Sequence, residues 1–152
     1  MRITLIFFLV LLSSCASTPS DAPSYSSAPK AESGYSTLYI YRHDAPPYLY
    51  TPTISFNGIE VINPPEESYT WLHVKGGTYQ VKVDWSFMAG WPDLNFEFQI
   101  KENEEYYLKI FGDFQNGSTM KLTSNAKSLE KNEAEKELKS CCKYIKPVIN
   151  KL

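Results

Sequence analysis

The sequence predicts a mainly β protein: an antiparallel β-sandwich or small barrel of about seven or eight strands with one C-terminal helix. Three observations carry this. Apolar and polar residues alternate with a period of two through "TYQVKVDWS" and "LNFEFQI". The pairs Asn57-Gly58 and Gly76-Gly77 punctuate apolar runs. Near the C-terminus the apolar spacing switches to three and four, the period of a helix.

"STLYIYR" sets Leu38 and Ile40 against Tyr39 and Tyr41, so both faces of this strand are covered. In "PTISFNGIEVI", Asn57 and Gly58 both tolerate positive φ and predict a tight hairpin turn. "SYTWLHV" is a further strand, turned by Gly76-Gly77 into the next. There Tyr79, Val81, Val83 and Trp85 face one way and Gln80, Lys82 and Asp84 the other, as in a half-solvated antiparallel strand. "LNFEFQI" repeats the pattern with Leu94, Phe96, Phe98 and Ile100 inward. The polar "KENE" fits a short hairpin loop, which makes "EYYLKIF" the antiparallel neighbour of that strand. Gly112 to Ser118 reads as a loop. From about Asn125 the chain reads as helix, with Ala134, Leu138, Cys141, Cys142 and Ile145 as its stripe. Glu130, Glu133, Glu135 and Glu137 precede Lys139, Lys143 and Lys146, the order the helix dipole favours, and Pro147 ends the element.

Residues 1–14 read as a secretory signal: Met1 and Arg2 precede the apolar run from Ile3 to Leu12. At about 15 Å of helix that run is too short to span a bilayer core. Leu12 fits an ordinary small-x-small cleavage site poorly. The quartet Leu12-Ser13-Ser14-Cys15 instead resembles the lipobox of bacterial lipoprotein precursors. That resemblance implies cleavage before Cys15, a diacylglyceryl thioether on its sulfur and usually acylation of the new amine, a palmitate-type membrane anchor. Ala16, rather than Asp, at the second mature position implies the outer membrane under enterobacteria-like sorting. Residues 15–34 are then the lipidated Cys and a flexible Ser/Pro/Ala linker, a composition that buries too little apolar surface to order itself. Such a linker would hold the domain roughly 25 Å from the bilayer.

Residues 35–152 are one domain's worth of chain. The whole chain has 15 basic and 17 acidic residues, a net charge of −2, and the cations are scattered singly, so nucleic acid is not an expected partner. His43 and Asp44 are adjacent at a strand end, where neighbouring side chains diverge, so they make a poor catalytic pair. His73 shares a strand face with Trp71. No clustered ligand spacing predicts a metal, no cofactor is expected, and no nucleophile-base pair predicts catalysis. Cys141 and Cys142 are open to several readings. They could be buried as small apolar residues of the stripe, bridge to another chain, or serve a redox role; a vicinal disulfide is rare. Tyr48, Tyr50 and Trp91 fall in predicted loops beside Pro46-Pro47, Pro52 and Pro92. They either lid the ends of the sandwich or contact a ligand or partner.

"LYIYR", "ISFNG", "HVKGGTYQVKV" and "EEYYLKI", in this order over roughly residues 36–111, resemble the motifs of a bacterial lipoprotein family classed as domain of unknown function 2846. "GGTYQVKV" is also similar to the PEGA-type, prealbumin-like sandwich repeat. "INPPEESYT" and "SFMAGWP" depart from the family pattern. The resemblance implies a fold and a location and lends no activity. The expectation is a non-enzymatic binding or accessory module, lipid-anchored at the outer membrane and facing the periplasm, with an envelope protein or glycan as partner. A small envelope hydrolase and a purely structural lipoprotein are the alternatives.

Overall fold

The computed structural model describes residues 18–115 and 121–152; the expected signal segment, residues 1–14, and Cys15 lie outside them. The elements are β1 (Tyr35–Arg42), β2 (Thr53–Phe56), β3 (Ile59–Ile62), β4 (Ser68–Lys75), β5 (Gly77–Asp84), β6 (Leu94–Ile100), β7 (Glu105–Gln115), β8 (Lys121–Leu129), α1 (Lys131–Cys141) and β9 (Lys143–Tyr144), with a short 3-10 turn over Phe87–Ala89. The strands form two sheets, a five-stranded one in the order β8-β7-β1-β4-β9 and a four-stranded one in the order β3-β2-β5-β6.

Period-two alternation explains the layering. Leu38, Ile40, Leu72, Val74, Leu108 and Ile110 of the first sheet share one apolar cluster with Ile54, Phe56, Val81 and Val83 of the second. Each such side chain contributes about 1.5–3 kcal/mol when fully buried. The opposite face of the first sheet carries Tyr39, Tyr41, Tyr69 and Tyr107 beneath Ala134 and Leu138 of α1. β1 is therefore covered on both faces, as its sequence predicts. Asn57 and Gly58 take φ of 49° and 79° in the β2–β3 turn, the conformation that the hairpin demands.

Several expectations are corrected. The described residues hold nine strands rather than seven or eight, and the sheets do not close into a barrel. The first sheet is mixed, because β1 pairs parallel with β7 and β4 parallel with β9. The turns at Gly76-Gly77 and at "KENE" are crossings between sheets, so β7 lies beside β1 and β8 rather than β6. Ser36 steers the second crossing: its Oγ accepts the Glu104 N–H at 2.9 Å, while Thr37 N–H donates to Glu104 O. The two crossings also touch, since a Cβ on Gly76 would stand 2.7 Å from Glu102 Cγ. β7 runs on to Gln115, through part of the expected loop. Where helix was expected from Asn125, β8 pairs with β7, Asn125 opposite Phe111. β8 is a half-exposed edge strand without a strict apolar alternation, so its sequence gives little strand signal.

The helix stops at Cys141. Cys142 is extended, at φ −104° and ψ 139°, and Lys143 N–H and Ile145 N–H donate to Glu67 O and Tyr69 O along the edge of β4. The unpaired edge of β4 gives this backbone partners that a longer helix would not use. The tail continues along it, His73 N–H donating to Asn150 O and Leu152 N–H to His73 O, and Val148 N–H reaches Val61 O in the other sheet.

Residues 18–34, part of the expected linker, lie against the domain as a strap. Ser26 N–H and Ala28 N–H donate to the hydroxyls of Tyr69 and Tyr39 at 2.9 and 2.8 Å. Ser24 bridges Lys143, and the Tyr25 ring lies 5.2 Å from that of Tyr69. Composition alone misses this because the tyrosine hydroxyls of the sheet satisfy the strap backbone.

Candidate functional site

Arg42, the last residue of β1, organises one end of the molecule. Its side chain is buried, and buried guanidinium needs partners. Nη1 donates to Tyr50 O and Pro64 O at 3.0 and 3.2 Å, and Nη2 donates to Pro47 O at 2.8 Å. Nη2 also lies 3.2 Å from Glu66 Oε2, and the guanidinium sits 5.1 Å from the Trp85 ring centroid. Three loops, 43–52, 63–67 and 85–93, are thereby tied to one cation. Burial pushes the Arg42 pKa down, opposed by Glu66. Burial likewise raises Glu66, opposed by the Ala45 N–H and by Arg42. Sequence reading marked Arg42 only as a strand end.

Gly112 completes this end. Its N–H donates to Pro46 O at 2.7 Å, and any Cβ there would strike Trp91 and stand 2.5 Å from Pro46 O. The Trp91 ring lies edge-on to Phe114 at 5.4 Å. Beside it opens a cleft of about 840 Å³ lined by Trp85, Phe87, Trp91, Asp84, Asp93 and Lys121, among others. Aromatic faces beside carboxylates and an amine suit a ring-bearing polar ligand or a protein loop.

The three aromatic candidates are placed differently. Tyr48 projects, 57% exposed, whereas Tyr50 and Trp91 are half-buried and pack against the core. Leu49, Phe87 and Met88 stand out furthest at this end, 83%, 96% and 74% exposed. Cys15 lies outside the described residues. Thr18, the first described residue, docks at this end, its Oγ1 donating to Glu66 O at 2.7 Å.

His43 and His73 are not brought together. His73 is opposite Thr37 near the start of β1, 5.4 Å from the Trp71 ring, while His43 follows Arg42 at the other end. Burial, reinforced by Lys151, lowers the His73 pKa. His43 instead meets the cysteines: its ring nitrogen and the sulfurs of Cys141 and Cys142 lie within 4.8 Å of one another, and His43 Nδ1 is buried without a hydrogen-bond partner. The two sulfurs are paired as a vicinal disulfide, which the chain reaches because Cys142 has left the helix. In that state they offer no thiolate to a metal. No sequence spacing could have found this juxtaposition.

Among the described residues no helix is long and apolar enough to cross a membrane. No family model, curated protein or solved structure matches the chain.

Proposed function

We propose that the chain is a bacterial lipoprotein, tethered to the outer membrane, that serves as a non-enzymatic binding or accessory module of the cell envelope. The observation that carries this reading is Leu12-Ser13-Ser14-Cys15 directly behind a short apolar run. The resemblance to domain of unknown function 2846 supports it, as does the apolar cluster shared by two sheets, which fits a PEGA-like face-to-face sandwich. Two or three acyl chains anchor far more firmly than one. The cleft beside Trp91, with its aromatic and carboxylate lining, is the surface on offer to an envelope protein or glycan.

Fatty-acid labelling in cells tests the anchor. The wild-type chain takes up label and fractionates with the outer membrane; Cys15→Ala takes up none and leaves that fraction. An unlabelled wild-type chain sinks the proposal. Photo-crosslinking from position 91 in intact cells then identifies what meets the aromatic end.

A further inference from the structure

Leu49 and the Phe87–Met88 pair are large apolar side chains held in water at loop tips. Single exposed apolar residues are ordinary, but these converge on one end. Leu49 lies between Pro47 and Tyr50, whose carbonyls Arg42 grips, and Phe87 is two residues beyond Trp85, over which the same guanidinium sits. Glu66, on the third loop of this end, is where Thr18 docks. Cys15 is three residues before Thr18, so covalent reach keeps it within about 11 Å of that residue. The strap removes the slack that a free linker would supply, and the anchor is confined to the end that carries the exposed tips.

We propose that this end of the domain faces lipid: Leu49, Phe87 and Met88 enter the interfacial layer of the leaflet that holds the Cys15 acyl chains. The proposal rests on reading Cys15 as the anchor. Tyr48 and Trp91 lie beside the tips, and amphipathic rings of this kind favour the headgroup level. Glu66 is paired with Arg42, and Asp84 and Asp93 flank Lys82, which limits the repulsion these three add against anionic headgroups; Asp44, Glu67 and Asp113 make no ion pair among the described residues. The domain then lies against the bilayer instead of standing off from it, with the Trp91 cleft opening at the membrane surface.

Two arms test this. In the first, the full lipidated chain carrying Phe87→Cys with an environment-sensitive fluorophore is placed in vesicles of phosphatidylethanolamine and phosphatidylglycerol with brominated acyl chains. Thr78→Cys, exposed at the opposite end of β5, is the control. The probe at position 87 shifts to the blue and is quenched, and the probe at 78 does neither; equal behaviour at both positions overturns the proposal. A probe at 87 that stays in water on vesicles yet is shielded in intact cells assigns the tips to a protein partner and also overturns it. In the second arm the unlipidated Cys15→Ala chain is sedimented with the same vesicles, and Leu49→Ser/Phe87→Ser/Met88→Ser lowers its partitioning by at least about tenfold. No change in partitioning overturns the proposal. This arm reads the tips whether or not Cys15 is acylated, so its failure is separable from failure of the anchor.

Discussion

A single buried cation decides the geometry of the candidate site. Arg42 replaces its lost hydration with three carbonyls and one carboxylate drawn from two loops, and stacks on Trp85 from a third. Removing one partner of a buried ion pair strands the other, at a cost of about 3–5 kcal/mol. Arg42→Met is therefore expected to lower urea stability by about that amount and to change Trp85 fluorescence; a loss under about 1 kcal/mol would show that the loops hold themselves. The sequence exposes Arg42 as the end of "LYIYR" but not as an anchor, because its acceptors are backbone carbonyls, and any residue type supplies those. His43 is similar: it lies about a hundred residues from the cysteines it meets, and no local pattern records that contact.

At the scale of elements, alternation and turn chemistry made most strands legible. β5 and β6 show the inward and outward sets that their sequences predict, and Asn57-Gly58 closes the hairpin expected of it. The strap was illegible, since its order comes from partners on β1 and β4. Tyr39, which receives the Ala28 N–H, has its phenol pushed up to about 12 from 10.0, chiefly by burial. A group whose folded pKa is raised contributes stability that is complete below its unfolded pKa and lost as pH rises through the folded one. The urea midpoint is thus expected to fall between about pH 10 and 12, with Tyr41 and Tyr107, raised mainly by burial, adding to the loss. Tyr39→Phe should start lower, having lost the strap bond, and fall less steeply over that range. An identical slope in the two proteins would remove Tyr39 from the account.

For the whole molecule, the relation between the sheets matters more than either sheet. The inner cluster draws on both, and the tail stitches them through Val148 N–H and Val61 O. Neither sheet buries its apolar face alone. One cooperative transition is expected, with tryptophan fluorescence and far-ultraviolet circular dichroism tracing the same urea curve; two separated midpoints would show that the sheets unfold independently. By itself the sequence determined the β class, the alternating faces, the Asn57-Gly58 turn and a C-terminal helix, because side-chain period and φ preference are local properties. Only the tertiary structure decided that two apparent hairpins are crossings, that the edge of β4 stops the helix at Cys141, and that the strap is docked. It also gathered Leu49, Phe87 and Met88 at the end where Thr18 docks on Glu66. Those outcomes depend on which backbone groups and apolar surfaces remain unpartnered once the sheets have formed, and that is a property of the assembled chain.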